Sequence, residues 1–155
     1  MTRQRIAIVA LGIAAASSCA MAGYHFALPF IWHWSRFVGN IPATIRWGLF
    51  AINAFFSFLL LAGGLLTVVA AREVSRGASP DRGVLIAMAG FWTVNMLYQV
   101  VIPMPLPAKL WALRLLLPGY AALTLLAYLV GLRALRAHRT PVNASDALPR
   151  SKGES

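Results

Sequence analysis

Carboxylates are scarce in this chain: Glu73, Asp81, Asp146 and Glu154 are the four acids among 155 residues. They form no paired-carboxylate motif, and neither a nucleophile elbow nor a phosphate loop accompanies them. Cysteine is scarcer still. Cys19 stands alone, which excludes an internal disulfide, a CxxC relay, a cysteine zinc site and the four-helix thiol oxidases that depend on such pairs. His25 and His33 lie eight residues apart without a carboxylate or cysteine beside them, too few ligands at the wrong spacing for a metal centre. They read instead as anchors of a loop at a membrane surface.

What the chain does have is apolar length. It is 59% hydrophobic and 12% charged, far from the balance of a soluble domain. Four stretches carry no charge: Ile6 to Met21 and onward, Trp47 to Ala71, Val84 to Ile102, and Leu115 to Leu132. A hydrocarbon core of about 30 Å needs roughly 20 apolar residues as a helix, and lipid admits only helices or closed barrels. No alternating strand pattern is present. The expected fold is therefore all-α: a polytopic membrane protein with four transmembrane helices in an antiparallel bundle. Spans are expected at about 6–23, 47–71, 84–102 and 112–132, making residues 1–136 one transmembrane domain and 137–155 a disordered, basic cytoplasmic tail.

The net charge of +10 would fit nucleic acid only if the basic residues shared a soluble face. They cluster at the ends of apolar runs instead, where they set topology and meet lipid headgroups. Arg3, Arg5, Arg72, Arg76, Arg82, Arg133, Arg136, Arg139, Arg150 and Lys152, ten of the fourteen, fall on one side of a four-span arrangement. That side is expected to be the cytoplasm of a bacterial-type inner membrane, with both termini in it. The first segment has a second reading, because Arg3 and Arg5, an apolar run and Ala20-Met21-Ala22 also resemble a cleaved signal peptide. Apolar character continuing to Phe30 favours a retained helix. Ser17-Ser18-Cys19 lacks the residues of a lipidation box.

The other side collects aromatics: Tyr24, Phe26, Phe30, Trp32, Trp34, Phe37 and Trp47 in one connection, Trp111 beside the next. Such rings prefer headgroup depth, so Leu28 to Val38 is expected to lie along the surface as an interfacial segment. Pro103, Pro105 and Pro107 end the third span and stiffen a tight hairpin.

Within the membrane, small and polar residues recur at helical spacing: Ala14, Ser18, Ala22; Asn53, Ser57, Gly64; Trp92, Asn95, Gln99; Tyr120, Thr124, Tyr128. Close packing and interhelical hydrogen bonds explain such stripes by themselves. The functional reading adds His25 and Arg114 near the outer ends. His25, Asn53, Asn95, Gln99, Arg114 and Tyr120 would then form a polar cluster open to the outer leaflet, suited to a headgroup, a quinone ring or a small amphiphile. No Asp, Glu, Lys, Arg or His lies at mid-span, which argues against proton- or ion-coupled transport.

The run Gly23-Tyr24-His25-Phe26-Ala27-Leu28-Pro29-Phe30, followed by Pro42 and a glycine-bearing second helix, resembles the DoxX-like small membrane proteins over the first half of the chain. That resemblance implies four helices and, through relatives linked to sulfur-compound oxidation or redox-stress complexes, quinone as a cofactor. Asn53 stands where that family often has an acid. Two functions follow as expectations. One is a non-enzymatic partner subunit or lipid-binding scaffold without cofactor, its partners the lipid bilayer and a membrane protein or second copy of itself. The other is a quinone- or amphiphile-binding component of a redox system.

Overall fold

A computed structural model describes residues 2–105 and 110–136. The tail expected over 137–155 and the hairpin residues 106–109 lie outside the described residues. Five helices follow in order: α1 (Arg3–Ile31), α2 (Trp34–Phe37), α3 (Ala43–Ser75), α4 (Gly83–Val101) and α5 (Trp111–Arg136). Four of them are long and apolar enough to cross a membrane, so the chain is a multi-pass membrane protein by length and composition. No strand occurs among the described residues.

The helices overrun the spans expected from hydropathy. With 29 and 33 residues, α1 and α3 reach about 43 and 50 Å at 1.5 Å per residue, well beyond a hydrocarbon core of about 30 Å. Hydropathy marks only the lipid-filled part of a helix, whereas backbone hydrogen bonding carries the helix on past it. α1 continues past Gly23 to Ile31 and contains Pro29. Residues 28–31, expected in a surface segment, are thus its last turn. His33 then adopts the left-handed region (φ 47°), which costs a non-glycine residue about 1 kcal/mol and turns the chain into the single turn of α2.

Why the helices associate follows from their small residues. The buried face of α1 is Ala7, Ala10, Leu11, Ala14, Ala15, Ser18 and Ala22, and that of α3 is Ser57, Leu60, Gly63, Gly64, Thr67, Ala70 and Val74. Lipid tails are as apolar as leucine, so close backbone approach and hydrogen bonds must drive association. At Gly64 a Cβ would lie 2.6 Å from Cys19 Sγ and 3.3 Å from the Ala15 carbonyl oxygen, and at Gly63 it would come closer still to Met88 Sδ of α4. At Gly131 of α5 it would lie 2.7 Å from Leu11 Cδ2. α1 therefore sits between α3 and α5, and α4 packs on α5, while α3 and α4 scarcely touch. Side chains at the lipid-facing surface invert the soluble rule. Phe55, Phe58, Leu59, Val94 and Leu123 are all at least 60% exposed, an arrangement that only an apolar solvent tolerates.

One hydrogen-bonded chain runs through the centre and takes a residue from each long helix. Trp92 Nε1 donates to Ser18 Oγ at 3.2 Å, and Thr67 Oγ1 donates to the Gly63 carbonyl at 2.7 Å. Tyr128 OH lies 3.1 Å from Ser18 Oγ and 3.0 Å from Thr67 Oγ1. Since the Thr67 proton is already committed, Tyr128 must donate to Thr67 and Ser18 must donate to Tyr128. Every bond then points one way, from α4 through α1 and α5 to α3. All four side chains are buried to 1% exposure or less.

Three outcomes are expected. Tyr128→Phe removes two interhelical bonds worth about 0.6 kcal/mol each in a membrane and leaves Ser18 without its acceptor, so stability should fall by about 1–2 kcal/mol in denaturant titration of the detergent-solubilised protein. Gly64→Val should separate α1 from α3 and cost more than that. Gly23→Ala, which meets nothing within 4 Å, should be neutral or stabilising by up to about 1 kcal/mol.

Candidate ligand site at the aromatic end

The two ends of the bundle differ. At one, Gln4 Nε2 of α1 donates to the Val74 carbonyl near the end of α3 at 2.8 Å. There too Arg82 Nη2 donates to the Leu135 carbonyl at 2.7 Å, a cation on the last turn of α5 where the helix dipole favours it. The opposite end gathers the close of α1, α2, the start of α3, the close of α4 and the start of α5. Its aromatic side chains, together with His25, pack edge to face or tilted. His25 meets Phe56 at 4.6 Å between centroids, Phe56 meets Phe91 at 5.5 Å, and Phe91 meets Trp92 at 5.6 Å.

Beneath the loosely joined α3 and α4 at this end lies a cavity of about 390 Å³, within the range that holds small molecules. Its deeper wall is apolar and aromatic, with Met21, Phe56, Leu60, Phe91 and Trp92. The polar groups of the lining are His25, Asn95, Gln99 and Arg114, with the Tyr24 and Tyr98 side chains. Four of the six residues singled out from sequence thus share one cavity. Asn95 and Gln99 are also bonded to each other: one turn apart on α4, Gln99 Nε2 donates to Asn95 Oδ1 at 2.6 Å. Gln99 Oε1 is occluded and has no partner among the described residues, so the pair presents unsatisfied acceptor capacity beside the cavity.

The other two residues do different work. Asn53 does not line the cavity; its Nδ2 donates to the His25 carbonyl at 2.8 Å. Pro29 explains why that carbonyl is available. Proline has no N–H, so the i−4 carbonyl, which belongs to His25, loses its helical partner, and in lipid no water replaces it. Asn53 supplies the missing donor from α3. Tyr120 also faces elsewhere, its hydroxyl donating to the Ser17 carbonyl at 2.6 Å while its ring lines grooves between α1 and α5. Phe56, Phe91 and Tyr98 were not among the residues expected from sequence. Aromatics in an apolar span look like lipid-facing bulk until the neighbouring helix is known.

The site presents a guanidinium, two amides, an imidazole and aromatic rings around one cavity. No group of three or more potential metal ligands occurs among the described residues. The nucleophilic hydroxyls of Ser18, Thr67 and Tyr128 are locked in the core chain. Compared with protein-family models, curated proteins and solved structures, the chain matches none. The DoxX-like resemblance of Gly23–Phe30 thus has no family match behind it, and a functional reading stands on the geometry.

Separating the two roles is straightforward. Asn53→Leu should lower stability by about 1–3 kcal/mol by stranding the His25 carbonyl, measured by denaturant titration. Pro29→Ala in the same background restores the helical donor and should recover most of that loss; an unchanged deficit would count against the pairing.

Proposed function

We propose that this chain is a membrane-embedded binding protein for an amphiphile, a lipid-binding scaffold and not an enzyme. The observation that supports it is the cavity bounded by all four long helices, apolar at its base and polar where Asn95, Gln99 and Arg114 stand. Such a gradient matches a molecule whose tail dissolves in hydrocarbon and whose head forms hydrogen bonds. In this reading the helices form an antiparallel bundle in a bacterial-type inner membrane, with both termini in the cytoplasm and the aromatic end outward. Residues 28–38 then meet the headgroups. Charge placement supports the orientation, since Arg3, Arg5, Arg72, Arg76, Arg82, Arg133 and Arg136 lie at the opposite end. The retained first segment fits the same reading, because cleavage after Ala22 would remove Ser18 from the core chain.

A quinone is the second reading, favoured by the ring-lined wall of His25, Phe56, Phe91 and Trp92, which suits a flat aromatic head. A partner subunit is the third, resting on the exposed apolar surface alone. Native mass spectrometry after gentle detergent extraction tests all three. The expected spectrum carries one retained amphiphile per chain, lost in Met21→Trp, which fills the cavity. A retained quinone would select the second reading. A stoichiometric protein partner with no small molecule would overturn the first two.

A further inference from the structure

Among the described residues, the end of the bundle that holds the cavity is basic and carries no acid. Residues 23–47, 102–105 and 110–114 contain Arg36, Arg46 and Arg114 but no Asp or Glu. The two described acids lie at the far end: Glu73 closes α3, and Asp81 accepts from the Gly83 N–H in the turn before α4. In the orientation proposed above, cations on the outer side work against the positive-inside bias, so topology does not account for them. One of them, Arg114, is part of the cavity lining, alongside Asn95 and Gln99.

We infer that the cavity takes an anionic amphiphile, its carboxylate or phosphate held at Arg114 and its hydrocarbon lying against Phe56 and Phe91. This rests on the amphiphile-binding reading and narrows it to one head-group charge. A guanidinium carries five N–H donors in a planar fork that matches both carboxylate and phosphate, so it can engage an anion while keeping another bond. Beside it the Asn95 Nδ2 group and the second Gln99 Nε2 proton can donate to the anion, whereas the unpartnered Gln99 Oε1, an acceptor, cannot. The uniformly positive end raises the local concentration of anions and disfavours a cationic or zwitterionic head by comparison. An uncharged quinone ring gains nothing from that field. The seam between α3 and α4, joined at this level by the Phe56–Phe91 ring contact, leaves the hydrocarbon of such a ligand continuous with the bilayer.

The test uses the full chain in detergent and two matched pairs of probes: palmitate against hexadecanol, and phosphatidylglycerol against phosphatidylcholine with the same acyl chains. Retention is read by native mass spectrometry in competition. The anionic member of at least one pair should be retained about tenfold over its neutral or zwitterionic partner, as one charge-assisted hydrogen bond implies. Which pair shows it identifies the head as carboxylate or phosphate. Raising salt should shrink the ratio, Arg114→Gln should bring it near one, and Arg36→Gln, outside the cavity lining, should leave it intact. Equal retention within both pairs would overturn the charge assignment while leaving the amphiphile reading standing. Retention of none of the four would overturn both. A preference that survives Arg114→Gln, or that vanishes in Arg36→Gln, would also overturn the assignment. The wild-type ratios and their salt dependence decide the matter even if Arg114→Gln cannot be purified.

Discussion

The hydroxyl of Tyr128 is the point on which the bundle depends. It accepts from Ser18 and donates to Thr67, and with Trp92 behind Ser18 it ties all four long helices into one directed chain. In water such groups could exchange partners with solvent at little cost. Hydrocarbon offers no alternative partner, so a bond that is modest in net energy becomes strict in geometry. The chain fixes helix rotation, because turning any one helix by a single residue would carry its donor or acceptor about 100° away. Small residues on α1 and α3 set how near the helices come; the hydroxyl chain sets how they face.

That fixed rotation positions the cavity. With α1 central and α3 and α4 barely in contact, three interfaces are closed and one is open, and the open one lies above Phe56 and Phe91. Trp92 belongs to both regions. Its indole N–H anchors the core while the residue also forms part of the cavity lining. The rigid centre thus defines one boundary of the proposed binding site, and the loosely packed seam defines the opposite one.

Much of this is legible in the sequence, for a physical reason: charge-free runs mark hydrocarbon depth, and the stripes containing Ser18, Trp92 and Tyr128 mark the inward faces. Periodicity identifies a face but not its neighbour, so it does not say that α1 packs mainly on α3 and α5 while α4 packs mainly on α5. Thr67 is one hydroxyl among leucines and valines and so carries little signal, although it continues the Ser57–Gly64 stripe by a further turn. Asn53 read as a ligand group because a buried amide in a span invites that role. The signal that explains it lay in Pro29, since a proline four residues after His25 creates a demand for a donor on another helix. The helix ends were underestimated because hydropathy is blind to helical turns outside the hydrocarbon.

The order in which the hydroxyl chain closes has a consequence for biogenesis. Ser18, Thr67 and Trp92 belong to α1, α3 and α4, which leave the ribosome before α5 and its Tyr128. Until α5 inserts, the Ser18 and Thr67 groups that will face Tyr128 have no native partner, and α4 has little packing against α3 to hold it. Earlier intermediates are therefore loose assemblies of individually stable helices, and the final span converts them into a single folded unit. Insertion of α5 and closure of the hydroxyl chain are then one event, and a chain truncated before residue 128 would present unsatisfied polar groups to the bilayer.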